Sequence, residues 1–153
     1  MIGGEVRDTI RPANSGATMA YWLAKSEPDT WSWDSHAKAG ADAWTGVRNH
    51  QAKIHLKAMK TGDRVFFYHS GEAKAVVGVS EVVREAYPDP TDPSGAFVCV
   101  DLKASYPLPK PVTLSAIKAE PKLSDMVLVK NSRLSVQPVT AAEWTIVSAM
   151  GGV

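Results

Sequence analysis

Two short triplets carry much of the reactive chemistry in this chain. Ser26-Glu27-Pro28 closes one apolar run and Tyr68-His69-Ser70 closes another, which sets hydroxyl, carboxylate and imidazole groups at strand ends where loops gather. Ser26 or Ser70 with His69 and Glu27 is the residue set of a small hydrolase, in which an imidazole activates a serine and a carboxylate orients the imidazole. The Gly-x-Ser-x-Gly elbow that presents such a serine in one large hydrolase class is absent, and these residue types are common enough to coincide. A second group is aromatic. Of the five Trp in 153 residues, Trp31, Trp33 and Trp44 stand in stretches too polar for ordinary core strands. Rings in turn-rich segments can stack on a planar base or enclose an alkyl group, although more often such rings close a core. The residues therefore allow three kinds of chemistry: nucleophilic hydrolysis, capture of a small metabolite, or recognition of a flat heterocycle.

Charge narrows the choice. Seventeen Lys and Arg against sixteen Asp and Glu leave a formal net charge of +1, which excludes a polycationic nucleic-acid coater. The charges are nevertheless uneven. Arg48, Lys53, Lys57, Lys60, Arg64 and Lys74 face only Asp63 and Glu72 in their segment, and the stretch from Lys103 to Arg133 is similarly basic. Folded onto one side, the two segments give a phosphate-tracking face; otherwise Lys53–Lys60 is the solvated side of an amphipathic helix. A near-neutral protein of this kind should show a shallow salt dependence, from a few phosphate contacts. Cys99 is the single cysteine, so neither an internal disulfide nor a multi-cysteine metal site can form. His50 and His55 lie five apart, a poor spacing for one helix face, and no phosphate-cradling glycine loop is present. The expectation is therefore no metal and no cofactor. No membrane-length apolar run or signal-peptide core occurs either, which reads as a cytoplasmic protein.

Several elements must position these groups. Residues 1–18 show no period and read as a tail, with one domain over 19–153. Tyr21–Lys25 reads as a strand, and Thr30–Lys38 as a short helix stopped by Gly40. Asn49 is an N-cap for a helix marked by Ala52, His55, Leu56 and Met59, with Gly62 at its end. Arg64–His69 and Ala75–Ala86 are strands joined by a turn at Ser70–Ala73, and Gly78 marks a bulge or a close approach. A proline-rich loop follows. Phe97–Leu108 is the next strand, ended by Pro107, Pro109 and Pro111. Leu114–Lys118 suits one helical turn, Arg133–Val139 a last strand, and Thr140 with Glu143 a capping box opening a final helix. This is α+β with a small, strongly curved sheet or barrel.

Five segments together resemble the EVE domain family: Tyr21-Trp22-Leu23-Ala24-Lys25-Ser26-Glu27-Pro28, Trp44 to Ala52, Gly62 to Ser70, Val76 to Val83 with Tyr87-Pro88-Asp89-Pro90, and Arg133 to Val139 with Glu143-Trp144. The resemblance runs from residue 20 to about 149 in unbroken order. It implies a PUA-like fold, a small curved mixed β-barrel flanked by short helices, akin to the YTH readers of methylated adenine in RNA. It also implies a free-standing, non-catalytic reader of a modified base, with modified cytosine in DNA (5-methyl- or 5-hydroxymethylcytosine) favoured over RNA; the oligomeric state stays open, with a monomer favoured. On this reading one base is flipped into an aromatic-polar pocket. Ser26, Glu27, Trp31, Trp44, Asn49, Tyr68, His69 and Ser70 would meet the base, while Arg48, Lys130 and Arg133 would hold phosphates. The plainer alternative pairs Glu27 with Arg48 as a buried ion pair and leaves Asn49 as a helix cap.

Overall fold

The computed structural model describes residues 19–153; the tail expected over residues 1–18 lies outside the described residues. Six strands form one sheet: β1 (Tyr21–Ser26), β2 (Ala41–Ala43), β3 (Arg64–His69), β4 (Ala75–Pro88), β5 (Val98–Thr113) and β6 (Val136–Val139). Their order is β2-β5-β4-β3-β1-β6. β1 and β3 run parallel and every other pair is antiparallel. The result is the expected mixed α+β, PUA-like sheet, curled but left open between β2 and β6. The helices are α1 (Trp33–Ala39), α2 (His50–Ala58), α3 (Leu114–Ala119), α4 (Val127–Lys130) and α5 (Ala141–Met150), with a 3₁₀ turn at Pro121–Leu123.

Both faces of the sheet are buried, so strand alternation sorts side chains into two cores. Trp22 and Ala24 of β1 and Val65 and Phe67 of β3 pack with Ala52 and Leu56 of α2 and Trp33 of α1. Leu23 of β1 and Phe66 and Tyr68 of β3 face the other way, into Ile117, Leu128 and Trp144. Trp144 stacks on Phe66 at 3.7 Å between centroids and on Tyr21 at 4.7 Å. The parallel β1–β3 pairing requires a long crossover, and α1, β2 and α2 supply it. That one connection supplies Trp33, Trp44, Val47, Ala52, Leu56 and Met59 to the first core.

Several elements depart from the sequence expectation for identifiable reasons. The first helix begins at Trp33, capped by Ser32, because residues 27–31 form a turn in which Thr30 and Trp31 donate to the Glu27 carbonyl at 3.0 and 2.8 Å. β5 does not end at its prolines but continues to Thr113. Prolines at every second position withhold N–H groups from one edge only, and β2, the strand's other neighbour, pairs no further than Lys103. β2 itself carries only three residues, too few for a period to register. β6 is confined to Val136–Val139, since Leu134 N–H closes a turn on the Asn131 carbonyl. The capping box of Thr140 and Glu143 forms as expected, with bonds of 3.0 and 3.1 Å. Gly78 is both bulge and close approach. The β4 registers shift beside it, and a Cβ there would stand 2.6 Å from the Trp33 ring.

Candidate functional site

The end of β1 and the loop entering α2 enclose a cleft of about 740 Å³, within the range of small-molecule sites. Its walls include Ser26, Glu27, Trp31, Trp44, Arg48 and Asn49. Two segments that are distant in sequence thus meet, as a reading of paired motifs requires. Beneath the cleft lies an aromatic layer. Phe67 meets Trp33 and Trp44 edge-on at 5.4 Å each and stacks on His36 at 5.3 Å. Trp33 is core, while Trp44, 9% exposed, is both core and wall. Trp31, half-buried, offers the more open ring.

The Glu27 carboxylate is exposed and has no hydrogen-bond partner among the described residues. It lies above the β3–β4 turn, where a Cβ on Gly71 would come within 3.0 Å of its Oε1. Such a carboxylate is an acceptor without a donor, poised at a cleft lined by two indoles. Asn49 serves two purposes. Its Oδ1 caps α2 by accepting from Ala52 N–H at 2.9 Å, and the residue also lines the cleft.

Ser26 lines the cleft, and His69 and Ser70 stand behind it; the three hold the wall together. The Ser26 hydroxyl donates to the Trp31 carbonyl, and the Ser70 amide and hydroxyl donate to the Ser26 carbonyl at 2.9 and 3.3 Å. His69 Nε2 accepts from Trp33 N–H at 3.0 Å, which fixes the neutral imidazole with its proton on Nδ1. Burial lowers its pKa, with Asp34 opposing weakly. The basic nitrogen is thus engaged by a backbone amide, and no serine-to-imidazole hydrogen bond joins His69 among the described residues. Together these bonds lock the 26–33 turn that carries Glu27 and Trp31.

Tyr68, Lys130 and Arg133 do not line the cleft. Tyr68 points into the opposite core, with Lys25 Nζ 5.8 Å from its ring centroid. Lys130 pairs with Asp125 at 3.0 Å on the exposed surface. Arg133 sits in the turn before β6, which reaches the cleft through Ser135. Arg48 does not pair with Glu27. Its Nη1 meets Asp89 Oδ2 at 3.1 Å and its Nη2 donates to Thr91 at 2.9 Å.

Asp89 is the site residue that sequence reading missed. Its side chain is fully buried and accepts from Gly46 N–H at 2.8 Å, from both the amide and hydroxyl of Thr91 at 2.7 Å, and from Arg48. Burial alone would raise its pKa, but the Thr91, Gly46 and Arg48 bonds outweigh that and hold it at about 2. The local signal was legible: an aspartate accepting from the amide two residues on is an Asx turn. Its link to Gly46 across the fold was not. Among the described residues no group of His, Cys, Asp and Glu has metal-site geometry, and no helix is long and apolar enough to cross a membrane.

Comparison with known proteins gives a consistent family assignment. The EVE domain profile matches residues 20–150. The protein Rpa0253 of Rhodopseudomonas palustris, solved by NMR, is 65% identical, with a TM-score of 0.83 over 88% of this chain and 94% of its own. Human thymocyte nuclear protein 1 is 31% identical over 86% of this chain and 73% of its own length. Its structure in complex with DNA containing 5-methylcytosine covers 88% of this chain and 98% of that chain, with a TM-score of 0.81. A YTH domain from Zygosaccharomyces rouxii, solved with N6-methyladenosine RNA, is 19% identical at a TM-score of 0.53 over 88% of each chain, a likeness of fold alone.

Proposed function

Since the chain belongs to the EVE domain family, we propose that it is a non-catalytic module that binds nucleic acid and receives one modified base in the cleft between Trp31 and Trp44. The unpartnered Glu27 carboxylate at the mouth of that aromatic cleft carries the reading. Carboxylates accept hydrogen bonds, so Glu27 suits a base with an exocyclic amine, cytosine or adenine, and disfavours the carbonyl of thymine. Trp31 and Trp44 supply the apolar surface that repays unstacking, which costs a few kcal/mol. Asn49 adds a side-chain amide. The complex of human thymocyte nuclear protein 1 with 5-methylcytosine DNA supports modified cytosine in DNA as the ligand. His69 and Ser70 keep the wall in place from behind, and Ser26, whose hydroxyl is committed to the Trp31 carbonyl, forms part of it.

A titration tests this. Matched DNA and RNA oligonucleotides carry cytosine, 5-methylcytosine, 5-hydroxymethylcytosine, adenine or N6-methyladenine at one position, at fixed moderate salt. The expected result is a preference of roughly tenfold, ~1.4 kcal/mol, for one modified base, strongest for a modified cytosine in DNA. Equal weak binding across the panel would remove the reading. A free nucleoside binding as tightly as the oligonucleotide would make the protein a metabolite binder. Product formation lost in His69→Ala would make it a hydrolase.

A further inference from the structure

We infer that Arg48, Lys53 and Phe97 form a second subsite on the rim of the same cleft, one that holds the backbone phosphate next to the extruded nucleotide; this rests on the reading above. Arg48 lines the cleft, and Lys53 lies one turn into α2 beyond it. Both reach the loop between β4 and β5. Lys53 Nζ donates to the Ala96 carbonyl at 2.8 Å, as Arg48 does to Asp89 and Thr91. Between the two cations stands Phe97, its centroid 5.6 Å from the Arg48 guanidinium carbon and 5.4 Å from Lys53 Nζ. The His50 ring closes the group at 5.0 Å from Phe97.

Two features make this arrangement a phosphate site as well as a loop anchor. The first is unused donor capacity. Arg48 spends three N–H groups, on Val47, Asp89 and Thr91, out of five, and Lys53 spends one out of three. Two donors remain on each side chain, and the Arg48 side chain is 41% exposed. The second is the orientation of the neighbouring acids. Asp89 is turned inward onto Gly46 and Thr91, and Asp92 onto the Ser94 amide and hydroxyl and the Phe97 amide. Their carboxylates are occupied by donors of the protein, while each cation keeps two donors uncommitted. Holding cations in position before the ligand arrives lowers the ordering cost of binding.

The experiment measures affinity against salt for a DNA duplex carrying one 5-methylcytosine and for its unmodified twin. It compares the wild type with Lys53→Gln, Lys53→Arg, Phe97→Leu and Lys118→Gln, the last removing a charge from α3 on the opposite face. Lys53→Gln should weaken both duplexes several-fold and reduce the slope of log K against log salt by about 0.7–0.9, one phosphate contact. The methyl preference should be unchanged, and Lys53→Arg should restore affinity and slope. Phe97→Leu should weaken binding without removing a charge. If the wild type prefers 5-methylcytosine but Lys53→Gln and Phe97→Leu bind like Lys118→Gln, the subsite is overturned and the base reading stands. A wild type with no methyl preference overturns both.

Discussion

The roles of single side chains follow from what each already touches. The Glu27 carboxylate is bonded to nothing among the described residues, whereas Ser26, His69 and Ser70 are committed to backbone groups of the wall. The reading therefore concentrates discrimination on Glu27. Glu27→Gln leaves an exposed position filled by a side chain of the same shape, so thermal stability should stay within ~0.5 kcal/mol. Affinity for an amine-bearing base should fall by about 1.5–3 kcal/mol, the value of a hydrogen bond to a charged group. Isothermal titration of both proteins with the 5-methylcytosine duplex measures it; equal affinities would move discrimination to another group. Trp44 is a less clean probe, because it is 9% exposed and packs on Phe67. Its truncation to alanine also creates a core cavity costing roughly 3–5 kcal/mol.

At the scale of elements, one glycine couples strand and helix. α1 seats Trp33 flat against β4 because Gly78 has no Cβ; a methyl group there would lie 2.6–2.7 Å from three ring carbons of Trp33. The ring is held on its other sides by Phe67 and His36, so it cannot yield cheaply. Gly78→Ala should therefore destabilise by about 1–3 kcal/mol through overpacking, measured by urea unfolding. In a Trp33→Leu background the same change should cost little, since the obstructing ring is gone. A cost unaltered by the background would place the effect in the β4 backbone instead. α1 also begins next to the Trp31 wall, and its first amide, Trp33 N–H, donates to His69 Nε2, so displaced Trp33 should loosen the cleft as well.

For the whole molecule, several buried or bonded groups set the response to acid. Burial lowers the pKa of His36, His55 and His69, so the folded chain binds fewer protons there than the unfolded chain does. Their contribution to stability is complete above the usual histidine pKa of ~6.5 and is lost as pH falls below it. Asp89, held at about 2, adds stability that is complete above the ordinary carboxylate range and is lost as pH falls toward 2. Melting temperature should be flat near pH 7–8, decline below ~6.5 and fall further below ~4. Asp89→Asn should be less stable at neutral pH and should lose much of the last decline. An Asp89→Asn curve parallel to the wild type's through pH 4–2 would show that other carboxylates carry the acid limb.

Sequence alone determined the local features of this protein and its family. The α2 cap at Asn49, the capping box at Thr140, the β3 span and the order of five family motifs depend on neighbouring residues, so they were legible without a fold. Tyr68, which the sequence reading set against the base, instead follows the alternation of β3: Phe67 and His69 share a face and Tyr68 packs in the other core. What lay beyond reach was long-range pairing. Arg48 meets Asp89, 41 residues away, rather than Glu27, because β5 and its preceding loop fold back over the entry to α2. The prolines of β5 end no strand, because β2 stops short and leaves an edge where missing N–H groups cost nothing. Propensity and capping act over a few residues, whereas partner strands, bulges and edges are set only when the sheet closes around its crossover. Those long-range choices decided which side chains share the cleft.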